Sequence, residues 1–533
     1  MNFTKEHIPF SDTHQFSKLF LDYVNQESAL SSHYNNYFDK EGIKKYLHTC
    51  DFSYINRNIL YTSAKKQNVQ LNLSPLTLKN IESLQSTNTY TITTGHQLCL
   101  FTGPLYFIYK ILTTINCCEY LNKTIPNKHF VPVYWMASED HDYEEISSAN
   151  IFGKKIKWET QQTGKVGQFS TKGIDATIKE LQQILGENEQ SNSIITLFKS
   201  CYSNQNLADA TRMLVNELFG EYGLVVFDGD SSELKKLFAK EIKEELETGF
   251  SYNAVNETNE TLKNLGYSLQ VNPREINLFY AKDGIRERIE KNGNEYKVLN
   301  TGLTFSHAEI IELLNIEPEI FSPNVITRPL YQQKILPNIA YVGGPGEIAY
   351  WLQLKKEFTV SSINFPVLIP RKFALIIDVP SQNKIQKSGL NEKQLFNDTE
   401  SLIKELISND AGQIDLSQEK DKLVIAFGTL KQKVESIDKS LVGNVEGELQ
   451  KALKGIENIE QKIIRALKTK NETSINQLKN IKQKLFPENS IQERHDNFTS
   501  YLLKNENFVD DIKSAFKTEL TDLNIYLMLL EKG

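Results

Sequence analysis

Two short polar segments of this sequence have the residue types that binding and catalysis need. Residues 93–97 (TTGHQ) end one apolar run, and residues 138–142 (SEDHD) follow another at 130–136. In an open α/β sheet, ligands bind outside the carboxyl ends of the strands. If both runs are strands of one sheet, the two segments face the same cleft, and we predict the functional site there.

The first segment favours an anion. It leads through a loop to a helix that begins at about Pro104, and the free N–H groups at a helix start attract negative charge. His96 can donate to phosphate or carboxylate oxygens, and we predict it as a catalytic group. A glycine turn with a capping histidine is the alternative. The predicted binding residues are Thr94, Gly95, Gln97 and Gly103.

The second segment places three carboxylates and a histidine within four residues. Adjacent acids repel one another, so a cation, an amine or an arginine is expected near them. A His–Asp pair can transfer protons or hold a metal. We predict Asp140, His141 and Asp142 as catalytic residues. The alternative is a solvated loop whose acids cap the next helix.

A third segment, residues 343–347 (GGPGE), follows another short apolar run and is predicted to close the same cleft. It is a glycine-rich turn at a helix start, with Pro345 suited to the first turn. An ordinary tight turn would look the same. Basic residues near predicted strand ends could neutralise a polyanion, although each could also be a surface charge. The predicted binding residues are Gly344, Gly346, Glu347, Arg328, Arg371 and Lys372.

The order of strand and helix patterns predicts an α/β fold. Residues 1–380 alternate between the two patterns, which is typical of a parallel sheet, and residues of about 150–220 and 250–310 read as inserted subdomains. The runs at 366–369 and 373–377 are predicted as neighbouring strands. Residues 487–533 are predicted as one or two helices that return to the core.

Residues 381–486 have a helical pattern with few proline or glycine interruptions. Apolar residues recur at spacings of three and four from Phe427 to Leu441, and again from Leu449 to Leu485. We predict an antiparallel coiled-coil hairpin that turns at residues 442–444 and pairs with a second copy of the chain. A helical bundle packed on the core is the alternative.

Composition limits the function classes. The net charge of −7 is spread along the chain, which argues against a nucleic-acid partner. No run reaches the ~18 apolar residues of a membrane-spanning helix. The five cysteines form no CxxC pair, and no signal peptide is evident, so a cytoplasmic protein without membrane contact is expected. P-loop, HExxH and GxSxG motifs are absent.

Four segments in this order resemble the cysteine-adding enzymes of bacillithiol biosynthesis. They are 93–111 (TTGHQLCLFTGPLYFIYKI), 132–146 (PVYWMASEDHDYEEI), 326–354 (ITRPLYQQKILPNIAYVGGPGEIAYWLQL) and 366–371 (PVLIPR). The resemblance implies a Rossmann-like core with connecting inserts, similar to class I aminoacyl-tRNA synthetases, and a homodimer formed through the coiled coil. Residues 98–99 are Leu-Cys where the family pattern has Pro-Gly.

The resemblance also implies a reaction, the addition of L-cysteine to glucosaminyl-malate to give bacillithiol. Gly95-His96 takes the place of the synthetase His-Ile-Gly-His motif, and Arg371-Lys372 that of the mobile basic loop. Hydroxide is a poor leaving group, so joining an amine to a carboxylate requires activation, for which we expect ATP or another nucleotide and no metal. His96, Gln97 and Arg371 would contact phosphate, while the acidic segment would hold the cysteine ammonium or act as a base.

Two other functions stay open at this stage. One is a metal-dependent hydrolase that uses His96, Asp140, His141 and Asp142. The other is a non-catalytic scaffold whose coiled coil recruits partners.

Overall fold

The computed structural model describes residues 3–203, 206–411 and 416–531. Within these residues the strands are Phe3–Pro9 (β1), Thr89–His96 (β2), His129–Met136 (β3), Ser148–Ile151 (β4), Lys154–Lys157 (β5), Val225–Asp228 (β6), Leu278–Lys282 (β7), Ile285–Asn292 (β8), Glu295–Val298 (β9), Thr304–Ser306 (β10), Phe321–Pro323 (β11), Asn338–Gly343 (β12), Val367–Pro370 (β13), Phe373–Ile377 (β14) and Asn524–Leu530 (β15).

The α-helices of the same residues are Lys18–Val24 (α1), Lys40–Thr49 (α2), Arg57–Gln67 (α3), Pro75–Ser83 (α4), Tyr106–Thr124 (α5), Tyr143–Ile146 (α6), Ile174–Leu185 (α7), Glu189–Tyr202 (α8), Leu207–Phe219 (α9), Ser232–Lys236 (α10), Ala239–Thr248 (α11), Phe250–Asn264 (α12), His307–Ile316 (α13), Thr327–Ile335 (α14), Pro345–Gln353 (α15), Lys355–Val360 (α16), Val379–Lys387 (α17), Thr399–Ala411 (α18), Ser417–Glu435 (α19), Val442–Lys470 (α20), Glu472–Leu485 (α21), Thr499–Leu502 (α22) and Phe508–Ala515 (α23).

A five-stranded parallel sheet forms the core, in the order β13-β12-β2-β3-β6. Seven of the eight residues of β3 are buried, as expected for a parallel sheet that is covered on both faces. The predicted parallel α/β core is therefore confirmed. Because all five strands run the same way, the ends of β2, β3 and β12 meet at one edge of the sheet.

Two sets of elements interrupt this core. Between β3 and β6 lie the β4–β5 hairpin and helices α7 to α9. Between β6 and β12 lie helices α10 to α14 and a second sheet, ordered β10-β9-β8-β7-β11, in which every pair is antiparallel. We call residues 267–325, which contain this antiparallel sheet, the β insert.

The carboxyl-terminal region differs from its prediction. A strand, β15, follows the helices and lies between β1 and β14 in a three-stranded sheet. The prediction that residues 366–369 and 373–377 are neighbouring strands is therefore wrong, because the two strands belong to different sheets. A short apolar run such as NIYLMLL does not distinguish strand from helix by periodicity alone. The long-range pairing with β1 decides its conformation.

Helices α19 and α20 form an antiparallel hairpin. Ion pairs cross it at Lys420–Glu460 (2.8 Å) and Lys431–Glu446 (2.5 Å), so residue numbers rise along one helix as they fall along the other. The predicted turn at residues 442–444 is wrong, because α20 already begins at Val442 and the chain reverses just before it. The hairpin confirms the predicted coiled coil.

The predicted heptad seam is too long at its carboxyl end. Its last apolar residues lie on α21, where Leu478, Ile481 and Leu485 are buried in the main hydrophobic core. Heptad spacing describes any helix with one apolar stripe, so the sequence does not tell which surface covers the stripe.

Among the described residues, no helix has the length and apolar composition needed to cross a membrane.

Candidate active site

A cavity of about 710 Å³ opens at the carboxyl ends of β2, β3 and β12. His96, Asp140 and Gly344, which come from three separate predicted segments, all line it. The β insert supplies a further wall. The other predicted residues that line the cavity are Gly95, Gln97, His141, Arg328, Gly346, Glu347 and Arg371.

His96 is held between aromatic rings. The centroids of the Tyr106 and Phe107 rings each lie 5.1 Å from the imidazole centroid. Burial, together with the charges of Lys110 and Arg371, lowers the pKa of His96 to about 3. The imidazole is therefore neutral at pH 7. Its Nε2 is buried and has no hydrogen-bond partner among the described residues, which leaves this atom available to a ligand.

Asp140 is fixed by its neighbours. Its carboxylate accepts hydrogen bonds from Gln97 Nε2 (2.8 Å) and from the backbone N–H of His141 (2.7 Å), and Arg286 Nη1 lies 3.9 Å away. Burial opposes ionisation, but the His141 and Gln97 hydrogen bonds and the Arg286 charge outweigh it and lower the pKa of Asp140. Asp140 is thus a stable anion and a poor proton acceptor.

His141 contacts Arg286 through Nδ1, at 2.6 Å from Nη1. Because a guanidinium can only donate, Nδ1 accepts this hydrogen bond and the proton of the neutral ring sits on Nε2. His141 would therefore present an N–H donor to a ligand.

Lys110, on helix α5, joins two of the predicted segments. Its ammonium donates to the carbonyl oxygen of Gly95 and lies 2.8 Å from Glu347 Oε2. Glu347 in turn accepts hydrogen bonds from the backbone N–H of Gly344 (2.9 Å) and the hydroxyl of Tyr341 (2.6 Å). Glu347 lines the cavity, but these contacts indicate that it positions the 343–347 turn.

Two predicted arginines line the cavity and are fixed by side chains. Arg328 Nη2 donates to the hydroxyl of Tyr350 at 2.9 Å, and Arg371 pairs with the fully buried carboxylate of Glu493. Arg371 Nε is buried without a partner among the described residues. Both guanidinium groups are therefore held in place before any ligand arrives.

Four predicted site residues do not line this cavity. The Thr94 hydroxyl donates to the Val342 carbonyl oxygen and links two core strands. Gly103 has a φ of +65°, and a Cβ there would come within 2.6 Å of Cys99 Cβ, so the glycine serves local packing. Asp142 is exposed and caps α6. Lys372 turns away and donates to the carbonyl oxygens of Glu519 and Asp522, both at 2.8 Å.

Several cavity residues escaped the sequence prediction. Lys110 had a detectable signal, because it is the one charged residue in the apolar stretch 98–118. The basic residues of the β insert had none, since they lie far along the chain from the three segments. The missed residues with polar side chains include Tyr106, Lys110, Arg274, Arg286, Arg288 and Arg494.

Within the described ranges, no group of three or more His, Cys, Asp and Glu side chains is arranged to hold a metal ion. The residues predicted for the hydrolase alternative do not form such a group, because Asp142 faces solvent and His141 Nδ1 is bonded to Arg286.

The parallel sheet, with a cavity lined by basic residues at its carboxyl edge, defines a Rossmann-like α/β protein. The chain belongs to the BshC family of bacillithiol biosynthesis. Residues 3–372 match its N-terminal Rossmann-like domain and residues 374–528 its C-terminal coiled-coil domain. The resemblance inferred from the sequence is thereby confirmed.

Curated relatives named "Putative cysteine ligase BshC" align over most of the chain. The relative from Flavobacterium johnsoniae is 43% identical over 97% of this chain and 98% of its own length. Those from Flavobacterium psychrophilum and Cytophaga hutchinsonii are 43% and 41% identical over 92% and 96% of this chain, and 93% and 96% of their own lengths. These matches support the predicted enzyme class, a ligase.

Proposed function

We propose that this chain joins L-cysteine to glucosaminyl-malate through an amide bond, with nucleotide-dependent activation of the cysteine carboxylate. One observation carries the proposal: His96, Asp140 and Gly344, from three distant segments, line one cavity. Seven lysine and arginine residues and three acidic residues line it, so it suits ligands with several negative charges. The names of the relatives supply the class of reaction.

The part of the cavity formed by the parallel sheet fits a nucleotide phosphate. His96 Nε2 and Arg371 Nε are buried polar atoms without partners among the described residues. Gly346 belongs to the first turn of α15, where backbone N–H groups have no partner within the helix. These three residues would hold the phosphates. Transfer of a phosphate-containing group from the nucleotide to the cysteine carboxylate would give the amine a better leaving group to displace than hydroxide.

The acidic segment would orient the amino acid. Asp140 remains ionised and is held by Gln97 and His141, so it is suited to pair with the cysteine ammonium. His141 would donate through Nε2 to an oxygen of either substrate. Because these side chains are fixed, much of the rate would come from positioning the amine against the activated carboxyl.

The proposal includes a homodimer in the cytoplasm. Apolar side chains remain exposed along the hairpin and at its turn, with Ile425 at 71%, Ile437 at 82% and Ile459 at 54% exposure. A second copy could cover them. The cysteines are free thiols, as expected in a reducing compartment.

A purified assay tests the reaction. The chain is incubated with L-cysteine, glucosaminyl-malate and ATP, and bacillithiol is measured by mass spectrometry, with each substrate omitted in turn. A deletion strain should accumulate glucosaminyl-malate and lose bacillithiol. Unchanged bacillithiol in that strain would refute the proposal. Product formed without any nucleotide would refute nucleotide-dependent activation.

A further inference from the structure

Three arginines that line the cavity are held by no hydrogen bond or ion pair of their side chains to any described residue. Within the described residues, Arg274, Arg288 and Arg494 make no side-chain hydrogen bond or ion pair, although the Arg494 guanidinium lies 5.9 Å from the Tyr106 ring centroid. The other basic residues of the cavity are engaged by Glu347, His141, Tyr350 and Glu493. The unpartnered arginines therefore leave positive charge available to a ligand.

Two of the three belong to the β insert, and the strand geometry orients one of them. Arg286 and Arg288 are two residues apart on β8, so their side chains leave the same face of the sheet. Arg286 points to the cavity, where it contacts His141. Phe279, which pairs with Arg288 across the strands, lines the cavity and stacks on the Arg286 guanidinium at 4.0 Å. Arg288 thus stands beside Arg286 on the cavity side.

The backbone of Arg274 is clamped from both sides. The Asn277 amide donates to the Arg274 carbonyl oxygen at 2.7 Å and accepts from the Arg274 N–H at 3.0 Å. Asn277 is fully buried, and its own N–H donates to Glu245 at 2.8 Å. The position from which the Arg274 side chain extends is therefore fixed before binding, which lowers the entropy cost of binding.

We propose that Arg274 and Arg288 bind the two carboxylates of the malate part of the acceptor, an inference that rests on the proposed function. Arginine matches a carboxylate through two parallel N–H···O hydrogen bonds, and a dicarboxylate needs two such groups. The β insert thereby selects the acceptor, while the parallel-sheet wall holds the phosphates. Phosphate could also pair with these arginines, and the nucleotide kinetics distinguish the two ligands.

Steady-state kinetics of Arg274→Gln and Arg288→Gln test the assignment. Each variant should raise KM for glucosaminyl-malate about tenfold or more, the size expected when a hydrogen bond to a charged group is lost. KM for L-cysteine and for ATP should stay within about twofold of wild type, because the proposal gives neither ligand a contact with these arginines. A rise in KM for ATP instead would assign the arginines to phosphate and overturn the inference.

An acceptor without malate provides the sharper comparison. With methyl glucosaminide, wild type and both variants should have equal kcat/KM, because the groups that the arginines bind are absent. Equal losses on both acceptors would show a structural role and overturn the inference. Lys291→Gln is the matched control, since Lys291 lies on the opposite face of β8 and donates to Glu247 outside the cavity.

Calorimetry with L-malate as the probe separates this inference from the proposed function. Malate should bind wild type and Lys291→Gln and should bind both arginine variants at least about tenfold more weakly. If wild type binds malate in this way but forms no product, the carboxylate site stands and the ligase proposal fails. If wild type binds neither malate nor glucosaminyl-malate, both fail.

Discussion

Lys110 and Glu347 form an ion pair of 2.8 Å between helices α5 and α15, and the same ammonium donates to the carbonyl oxygen of Gly95. The pair therefore connects the 93–97 segment with the 343–347 turn. The Lys110 side chain is 3% exposed and that of Glu347 25%. Such a pair contributes little net stability, but removing one partner leaves an unpaired charge in the interior.

The first prediction concerns this pair. Lys110→Met should lower the free energy of unfolding by about 3 kcal/mol, because the Glu347 carboxylate loses its cation. Adding Glu347→Gln removes this unpaired charge and should restore at least about half of the lost free energy of unfolding. Urea unfolding followed by tryptophan fluorescence measures both, since all three tryptophans are buried in the Rossmann-like domain. A double variant less stable than Lys110→Met would contradict the prediction.

The pair also shows which parts of the site the sequence alone can predict. The apolar runs before residues 93–97, 138–142 and 343–347 predict strands, and the parallel α/β rule predicts that their ends meet. Lys110 joins two of these segments through contacts that depend on how α5 packs, which no local pattern encodes. Arg288 is more distant still, because its place in the cavity depends on where the β insert folds back.

Neighbouring side chains of one segment lie in different surroundings. Asp140 and Asp142 are two residues apart, yet one faces the cavity and the other caps α6 in solvent. Lys372 directly follows Arg371, but its ammonium turns toward the backbone of residues 519–522. The turn geometry that separates these neighbours depends on tertiary contacts.

The second prediction uses the pKa of His96. The pKa of His96 is 6.5 in the unfolded state, whereas burial lowers it to about 3 in the folded state. The contribution of His96 to the free energy of unfolding is therefore fully present above pH 6.5, and it falls as the pH drops from 6.5 toward 3. At pH 5 the cost reaches about 2 kcal/mol.

His96→Asn removes this titration while keeping a polar side chain of similar reach. Between pH 7 and pH 5, the variant should lose about 2 kcal/mol less unfolding free energy than wild type. Unfolding in urea at several pH values measures the difference. Parallel pH curves for the two proteins would refute the neutral buried imidazole. At pH 7 the variant should be folded but without ligase activity.

The third prediction compares two neighbouring acids. Asp140→Asn removes the anion that Gln97 and Arg286 surround, so kcat/KM for L-cysteine should fall at least about a hundredfold, as expected for a lost pairing with a charged group in a partly desolvated site. Asp142→Asn should leave kcat/KM within about twofold of wild type, because asparagine caps a helix as well as aspartate does. Equal losses in the two variants would contradict the placement of Asp142 outside the cavity.

The fourth prediction concerns the hairpin of α19 and α20. Ile425 and Ile459 lie on its two helices and are 71% and 54% exposed, so a second copy that covers them would remove apolar surface from water. The purified chain should have twice its 61.1 kDa mass by light scattering. Ile425→Glu with Ile459→Glu should give the monomer mass, because two buried carboxylates per chain would face an apolar surface.

Gln450→Glu is the matched control for the hairpin, since it adds one negative charge at an exposed polar position of α20. It should remain dimeric. A monomeric wild type would refute the dimer, and a dimeric double variant would locate the interface elsewhere. Because the cavity is formed within one chain, the monomeric variant should keep a kcat within about twofold of wild type, which separates assembly from catalysis.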